Sequence, residues 1–328
     1  MTTLDAAARV DRDFFDEHGY LVIEDVFDIE TEIDAVVAEY TELLDRQAQQ
    51  WYADGTISST YEDLPFAQRF ARVLVETGAP GFQPFDISLP SRGVTADTPM
   101  HAGPGVFALL TSPRLLDVVE QFVGGEILAN PIQHVRIKPP ERMLPNRMGA
   151  SLLTASAWHQ DQGVALPEVD DTNMLTVWIA VSDATVENGC LCVVPRSHRR
   201  GLITHCPGGQ ERPLAIPDRL VGDDVVPLPV RRGGIVLLHR QTMHSSLSNE
   251  GDGARWSFDL RYQPVGQPTG RPLYPSFVAR SRTAPETAVT DWREWASLWE
   301  QARERVQTDG AAFAAPANRW DGSQPVCA

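Results

Sequence analysis

The sequence predicts a mainly β chain with flanking helices, built on a double-stranded β-helix (jelly-roll, cupin-like) core. Two observations carry that expectation. Short β-branched or aromatic runs, each bounded by Gly, Pro, Asn or Asp, crowd the middle of the chain. Stretches with apolar residues three and four apart crowd its first third. Helices early and many short strands later fit a sheet pair with helices packed on one face.

Taken in order, residues 11–17 read as a short helix and 19–23 as a strand opened by a glycine turn. Over 29–48, Ile33, Val36, Val37, Tyr40, Leu43 and Leu44 recur with the period of an amphipathic helix. Another helix is expected over 112–123, where Leu115, Leu116, Val118, Val119 and Phe122 form an apolar face that Gly124 and Gly125 end. Strands are expected over 127–137, 174–181, 191–194, 235–238 and 255–262. The Gly- and Pro-rich stretches 139–149 and 264–275 read as loops. A final helix over about 290–306 carries Trp292, Trp295 and Trp299 at i, i+3 and i+7, a core-facing stripe with a substrate wall as the alternative.

At 328 residues and 42% hydrophobic content the chain can bury a sizeable core. With no internal repeat, it is expected to form one domain over 1–328: a helical part to about 125, a jelly-roll core over about 126–263, and an extension over about 264–328. A net charge of −16 without a long basic run argues against nucleic acid as a partner. No apolar run approaches the roughly 20 residues of a membrane span, and neither a secretion signal nor a peroxisomal address is evident. Cys190, Cys192, Cys206 and Cys327 are too few for a disulfide framework, so a reducing cytoplasm is the expected location. Cys190 and Cys192 sit in an apolar run and read as core.

Chemistry is concentrated at His159 and Asp161, two residues apart in WHQD, and at the distant His244, followed by Arg255. On a strand, i and i+2 share a face, so His159 and Asp161 can reach one ion while His244 arrives from another strand. Two imidazoles and one carboxylate on one side of an octahedral ion leave the opposite positions open, the pattern of non-haem Fe(II) oxygenases. A His-x-Asp doublet alone means little, since chance yields roughly 0.6 of them at this composition. The constellation carries the argument. Among other histidines, His239 is five before His244 and is its rival as a ligand, and His198 suits a structural hydrogen bond.

Four segments, 15–27 (FDEHGYLVIEDVF), 158–161 (WHQD), 187–198 (ENGCLCVVPRSH) and His244 to Ser246 followed by Arg255, resemble the phytanoyl-CoA dioxygenase family in the family's order. The resemblance runs from about 13 to 262; residues 51–98 and the last sixty or so match nothing that can be carried over. It implies an Fe(II)- and 2-oxoglutarate-dependent dioxygenase on a jelly-roll core, consuming O2 and releasing succinate and CO2. It places the metal ligands at His159, Asp161 and His244. Relatives that halogenate have a small residue in place of this aspartate, so Asp161 favours hydroxylation or another oxidation.

Arg255 matches the family's cosubstrate arginine, a planar fork suited to the distal carboxylate of 2-oxoglutarate. Ser246, on the same strand face as His244, is expected to bond that carboxylate. Arg261 shares the face of Arg255 and stays open as the alternative. Gln133, with Arg136 and Lys138 on its strand, and Trp178 are further candidates for cosubstrate contact, with plain core as the other reading of Trp178. Gln160 should point away from its two neighbours. Residues 143–148 are the candidate lid, with a plain surface loop as the other reading.

The acidic chain lacks a basic cluster for a CoA thioester, which favours a small uncharged or amphipathic metabolite, with tailoring in specialised metabolism as its setting. Arg136, Arg147 and Arg271 are partners for a free carboxylate. Two other readings remain: a divalent-metal hydrolase or isomerase of cupin type, and an inert jelly-roll binding protein. The oligomeric state does not follow from the sequence.

Overall fold

Asp11 opens the first helix, α1 (Arg12–His18), by accepting the Phe14 N–H at 2.9 Å, and Gly19 closes it in a left-handed conformation at φ 82°. A Cβ at Gly19 would stand 2.3 Å from His198 Nδ1, so glycine is required twice over. The Gly19 carbonyl accepts from Thr242 Oγ1 at 2.6 Å and from the His239 N–H at 2.9 Å, which docks the next strand, β1 (Tyr20–Ile23), on the large sheet.

Helices α2 (Asp34–Ala53), α3 (Phe66–Thr77), α4 (Pro104–Leu110) and α5 (Pro113–Val123) follow. The chain then forms β2 (Glu126–Lys138), β3 (Leu175–Ala180), β4 (Leu191–Val193), a single turn α6 (Asp218–Val221), β5 (Val226–Leu228) and β6 (Ile235–His239). After them come β7 (His244–Ser246), β8 (Arg255–Pro264), β9 (Phe277–Ser281) and α7 (Trp292–Thr308). The computed structural model describes residues 6–90, 93–144, 153–208, 214–308 and 319–327.

Among the described residues two antiparallel sheets result, one of six strands in the order β1-β6-β3-β8-β2-β9 and one of three in the order β5-β4-β7. Neighbours in space are distant in sequence, as in a double-stranded β-helix. Alternation along the strands then divides the interior. Val135, Ile137, Val177, Ile179, Phe258 and Leu260 turn outward into the main core with the helices. Trp178, Val236 and Leu238 turn inward to meet Leu191, Val193 and Leu228 of the small sheet. Among the described residues helices hold more than strands, 37% against 19%, but they cover one face of the large sheet, and the cavity lies on its other face.

Trp295 and Trp299 are buried in the main core at 0% and 1% exposure, with the Trp295 ring 5.8 Å from that of Phe107, so the tryptophan stripe is core and not a substrate wall. Strand β9, beyond residue 264, forms an edge of the six-stranded sheet against β2. The expectation of four reduced cysteines is corrected: Cys206 and Cys327, 121 positions apart, form a disulfide. The segment 319–327 folds back to bring their Cα atoms within 5.4 Å, a proximity with no local trace in the sequence. Cys190 and Cys192 are free and buried, as read. Among the described residues, no helix is long and apolar enough to cross a membrane.

Candidate metal centre

Reciprocal backbone bonds of 3.0 Å join His159 to His244, so His159 extends the small sheet by one residue beyond β7. The expectation of a regular strand through His159 and Asp161 is corrected. The chain leaves that single bridge into a turn at 161–164, closed by Gly163 N donating to Gln160 O at 2.9 Å. The turn, not strand alternation, aims Asp161 back toward His159. Gln160 points away as expected: its amide donates to Gly201 O and Gln241 O and accepts from Ile203 N. The ligand atoms of His159, Asp161 and His244 all lie within 4.8 Å of one another, and the two Nε2 atoms stand 3.8 and 3.9 Å from the same Asp161 Oδ1.

Tautomers follow from the partners. His159 Nδ1 lies 2.8 Å from Ala157 O and His244 Nδ1 3.0 Å from Thr242 O; a carbonyl only accepts, so each Nδ1 carries the proton. Both Nε2 lone pairs are therefore free to bind a cation. Burial pushes His159 down to about 3, helped by His244 beside it, so its ring is neutral at physiological pH. At Asp161 burial opposes ionisation most strongly, but Arg261, the two histidines and the Thr176 hydroxyl together outweigh it and hold the carboxyl well below the usual carboxylate range. Arg261 Nη2 donates to Asp161 Oδ1 at 2.7 Å and Thr176 Oγ1 donates to Oδ2, which fixes the plane of the carboxylate. Two imidazole nitrogens and an ionised carboxylate on one side of a shared point are a donor set that fits Fe(II).

A cavity opens beside the triad, lined by Arg136, Lys138, Thr176, Trp178, Ser246 and Arg255 together with both histidines. Arg255 is 2% exposed, lies 5.2 Å over the Trp178 ring and donates from Nη1 to Ser257 Oγ at 2.6 Å, while its buried Nε has no partner among the described residues. Burial brings Arg255 down to about 10, still charged at neutral pH. Arg261, the alternative, is committed to Asp161 and Asp259 instead. Ser246 Oγ accepts from Lys138 Nζ at 2.8 Å and from Ser156 N at 3.0 Å. Burial, reinforced by Arg255, pushes Lys138 down to about 6.

The structure does not bring Gln133 into this group. It lies on the opposite face of β2 from Arg136 and Lys138 and donates to Ile87 O at 2.8 Å. His239 accepts from Gln241 N, and His198 Nε2 meets Asp16 O; neither joins the triad. In the candidate lid 143–148, residues 145–148, Arg147 among them, lie outside the described residues. Thr176 and Asp259 carry no motif in the sequence, and Lys138 stands out there only as a neighbour of Gln133. Strand parity could have found all three, because Lys138, Thr176 and Asp259 share faces with Arg136, Trp178 and Arg255.

A sequence profile of the phytanoyl-CoA dioxygenase family matches residues 15–257. Phytanoyl-CoA dioxygenase domain-containing protein 1 of Mus musculus is 38% identical over 100 residues, covering 26% of this chain and 32% of the mouse protein. Phytanoyl-CoA dioxygenase of Arabidopsis thaliana is 27% identical over 135 residues, covering 35% of this chain and 45% of the plant protein. The chain thus spans less than half the length of these curated relatives. Among solved structures, the apo form of the non-heme monooxygenase ThoJ superposes with a TM-score of 0.56 at 17% identity, covering 91% of this chain and 98% of that one, a likeness of fold.

Proposed function

The chain belongs to the phytanoyl-CoA dioxygenase family, and from that premise we propose that it is a non-haem Fe(II)- and 2-oxoglutarate-dependent dioxygenase that oxidises a small-molecule metabolite. One observation carries the proposal: two histidines with Nδ1 tied to backbone carbonyls present Nε2 to one oxygen of Asp161, at the edge of a cavity that ends on Arg255.

His159, Asp161 and His244 would hold the iron. With 2-oxoglutarate and O2, that centre supplies the oxidising power for a substrate C–H, and the cosubstrate leaves as succinate and CO2. The chain's own residues hold and orient. Arg261 and Thr176 keep Asp161 ionised and fixed, so the site stays formed without rearrangement. Arg255, with Ser246, takes the distal carboxylate of 2-oxoglutarate through a planar fork, while Trp178 supports the guanidinium from below. Lys138 reaches the same region through its bond to Ser246. With Asp161 filling the third protein position, hydroxylation is the favoured outcome over halogenation.

The substrate follows from what remains. Arg136 is paired with Asp259 at 3.6 Å, and Arg255 and Lys138 are assigned to the diacid, so these cavity cations are spoken for. A net charge of −16 opposes polyanions. Both features favour an uncharged or amphipathic metabolite. The test is conversion of 2-oxoglutarate to succinate without added substrate. The expected result is slow turnover that requires Fe(II) and O2 and disappears in Asp161→Ala. Equal succinate from Asp161→Ala, or none from the native protein, overturns the proposal.

A further inference from the structure

The loop that carries His159 and Asp161 has a backing that takes no part in the cavity. The Gln160 N–H donates to His205 Nε2 at 3.0 Å, and His205 Nδ1 donates to Ile203 O at 2.8 Å, so a fully buried ring is seated behind the peptide between the two ligands. Gly163 lies against that ring, where a Cβ would come within 2.0 Å of His205 Cε1. Trp320 stacks on His205 at 5.4 Å with 28° between the planes, and its Nε1 donates to Gly163 O at 2.8 Å. Arg319 donates to Gln162 O at 2.6 Å and pairs with Asp170. Residues 160, 162 and 163 are therefore each bonded to His205 or to the segment 319–327.

The same segment is fastened at its far end. Cys327 is bonded to Cys206, the residue next to His205, and Arg219 donates to Val326 O. Both cysteines are half-buried and line a surface groove beside the exposed Pro207 and Gly208, within reach of a reductant. A covalent tie, a ring stack and two backbone hydrogen bonds thus converge on the loop that presents two of the three ligand side chains.

We infer that residues 319–327 form a redox-released clasp: with the Cys206–Cys327 disulfide closed, Trp320, Arg319 and His205 position His159 and Asp161 for the metal, and reduction loosens that grip. This rests on the metal reading above. A dithiol supplies the two electrons and two protons: one of its sulfurs attacks the bridge and expels the other cysteine as a thiol. Its second sulfur then closes the reductant's own disulfide, leaving Cys206 and Cys327 as thiols. His205, Trp320 and Arg319 are positioning residues, acting through Gln160, Gln162 and Gly163. A reducing compartment would hold the clasp open and an oxidising one closed.

The test is Co(II) affinity and the visible Co(II) spectrum of the whole protein, oxidised and after reduction with a phosphine that is then removed, with the thermal midpoint recorded alongside. Expected is roughly tenfold weaker Co(II) binding and an altered spectrum on reduction, the size typical of losing outer support to ligands. Cys206→Ser/Cys327→Ser should start at the weaker affinity and not respond to the reductant. Trp320→Ala should weaken binding in both states and Trp320→Phe, which keeps the stack, should recover part of it. Equal affinities and spectra across states and variants overturn the clasp while leaving the metal reading intact. A native protein that binds no Co(II) in either state overturns both.

Discussion

Replacing Arg255 by alanine tests the cosubstrate end of the site. Arg255 is 2% exposed, its guanidinium stands over Trp178, and among the described residues it has one hydrogen-bond partner, Ser257, besides the cavity it faces. Removing one partner of a buried charge pair costs about 2–5 kcal/mol. Part of that is offset here, because Arg255, after burial, depresses Lys138, and its loss shifts Lys138 back toward the ammonium that a bound carboxylate favours. The lower end of the range, about 2–3 kcal/mol, corresponds to roughly 30- to 160-fold weaker 2-oxoglutarate binding. The assay is calorimetric titration of 2-oxoglutarate into Co(II)-loaded protein, with Co(II) affinity measured separately. Arg255→Lys keeps the charge but not the planar fork, so it should fall between native and alanine. An Arg255→Ala affinity within twofold of native would refute the assignment.

Three further outcomes follow from the geometry. Arg261→Ala should weaken Co(II) binding roughly 10- to 100-fold, because it removes the partner that orients and ionises Asp161, while 2-oxoglutarate affinity at saturating metal stays near native; the reverse pattern would return the cosubstrate role to Arg261. Lys138 titrates at about 6 against an ordinary lysine near 10.4, so above pH 6 its amine is unprotonated in the free site. A bound carboxylate favours the ammonium, so binding should take up a proton and 2-oxoglutarate affinity should fall as pH rises from about 6 toward the ordinary lysine value; titrations in buffers of different ionisation enthalpy that detect no uptake would remove Lys138 from the contact. Trp295→Ala should destabilise by about 3 kcal/mol, the low end for a buried tryptophan because its indole Nε1 has no partner among the described residues to lose, with a lower urea midpoint and unchanged 2-oxoglutarate affinity.

What the sequence made legible was chemistry at fixed spacing and long periodic runs. His159, Asp161 and His244 stand out as residue types, and β2, β3, β6 and β8 declare themselves because one face of each packs on helices and the other on the interior. The short strand β5 contains Pro227 and a single exposed valine, Val226, so it has neither the length nor the burial to signal itself. Helix α3 lies within the stretch 51–98, where nothing could be carried over, although Phe70, Val73 and Leu74 share its buried face. Arg255 and Arg261 could not be separated by parity, since they share a face of β8; only the position of Asp161, set by a turn and not by a strand, distinguishes them. Gln133 is the converse, a residue whose odd position on β2 already turns it from the cavity. The Cys206–Cys327 bond and the stack of Trp320 on His205 depend on a segment returning from over a hundred residues away, which no local pattern reports.

The central claim is that one cation and one diacid meet between His159, Asp161, His244 and Arg255. An anaerobic crystal structure with Fe(II) and 2-oxoglutarate tests it most directly. The account predicts a single iron on His159 Nε2, His244 Nε2 and the Asp161 carboxylate, with the far carboxylate of 2-oxoglutarate on the Arg255 guanidinium. Iron bound elsewhere, or a diacid seated away from Arg255, would contradict it.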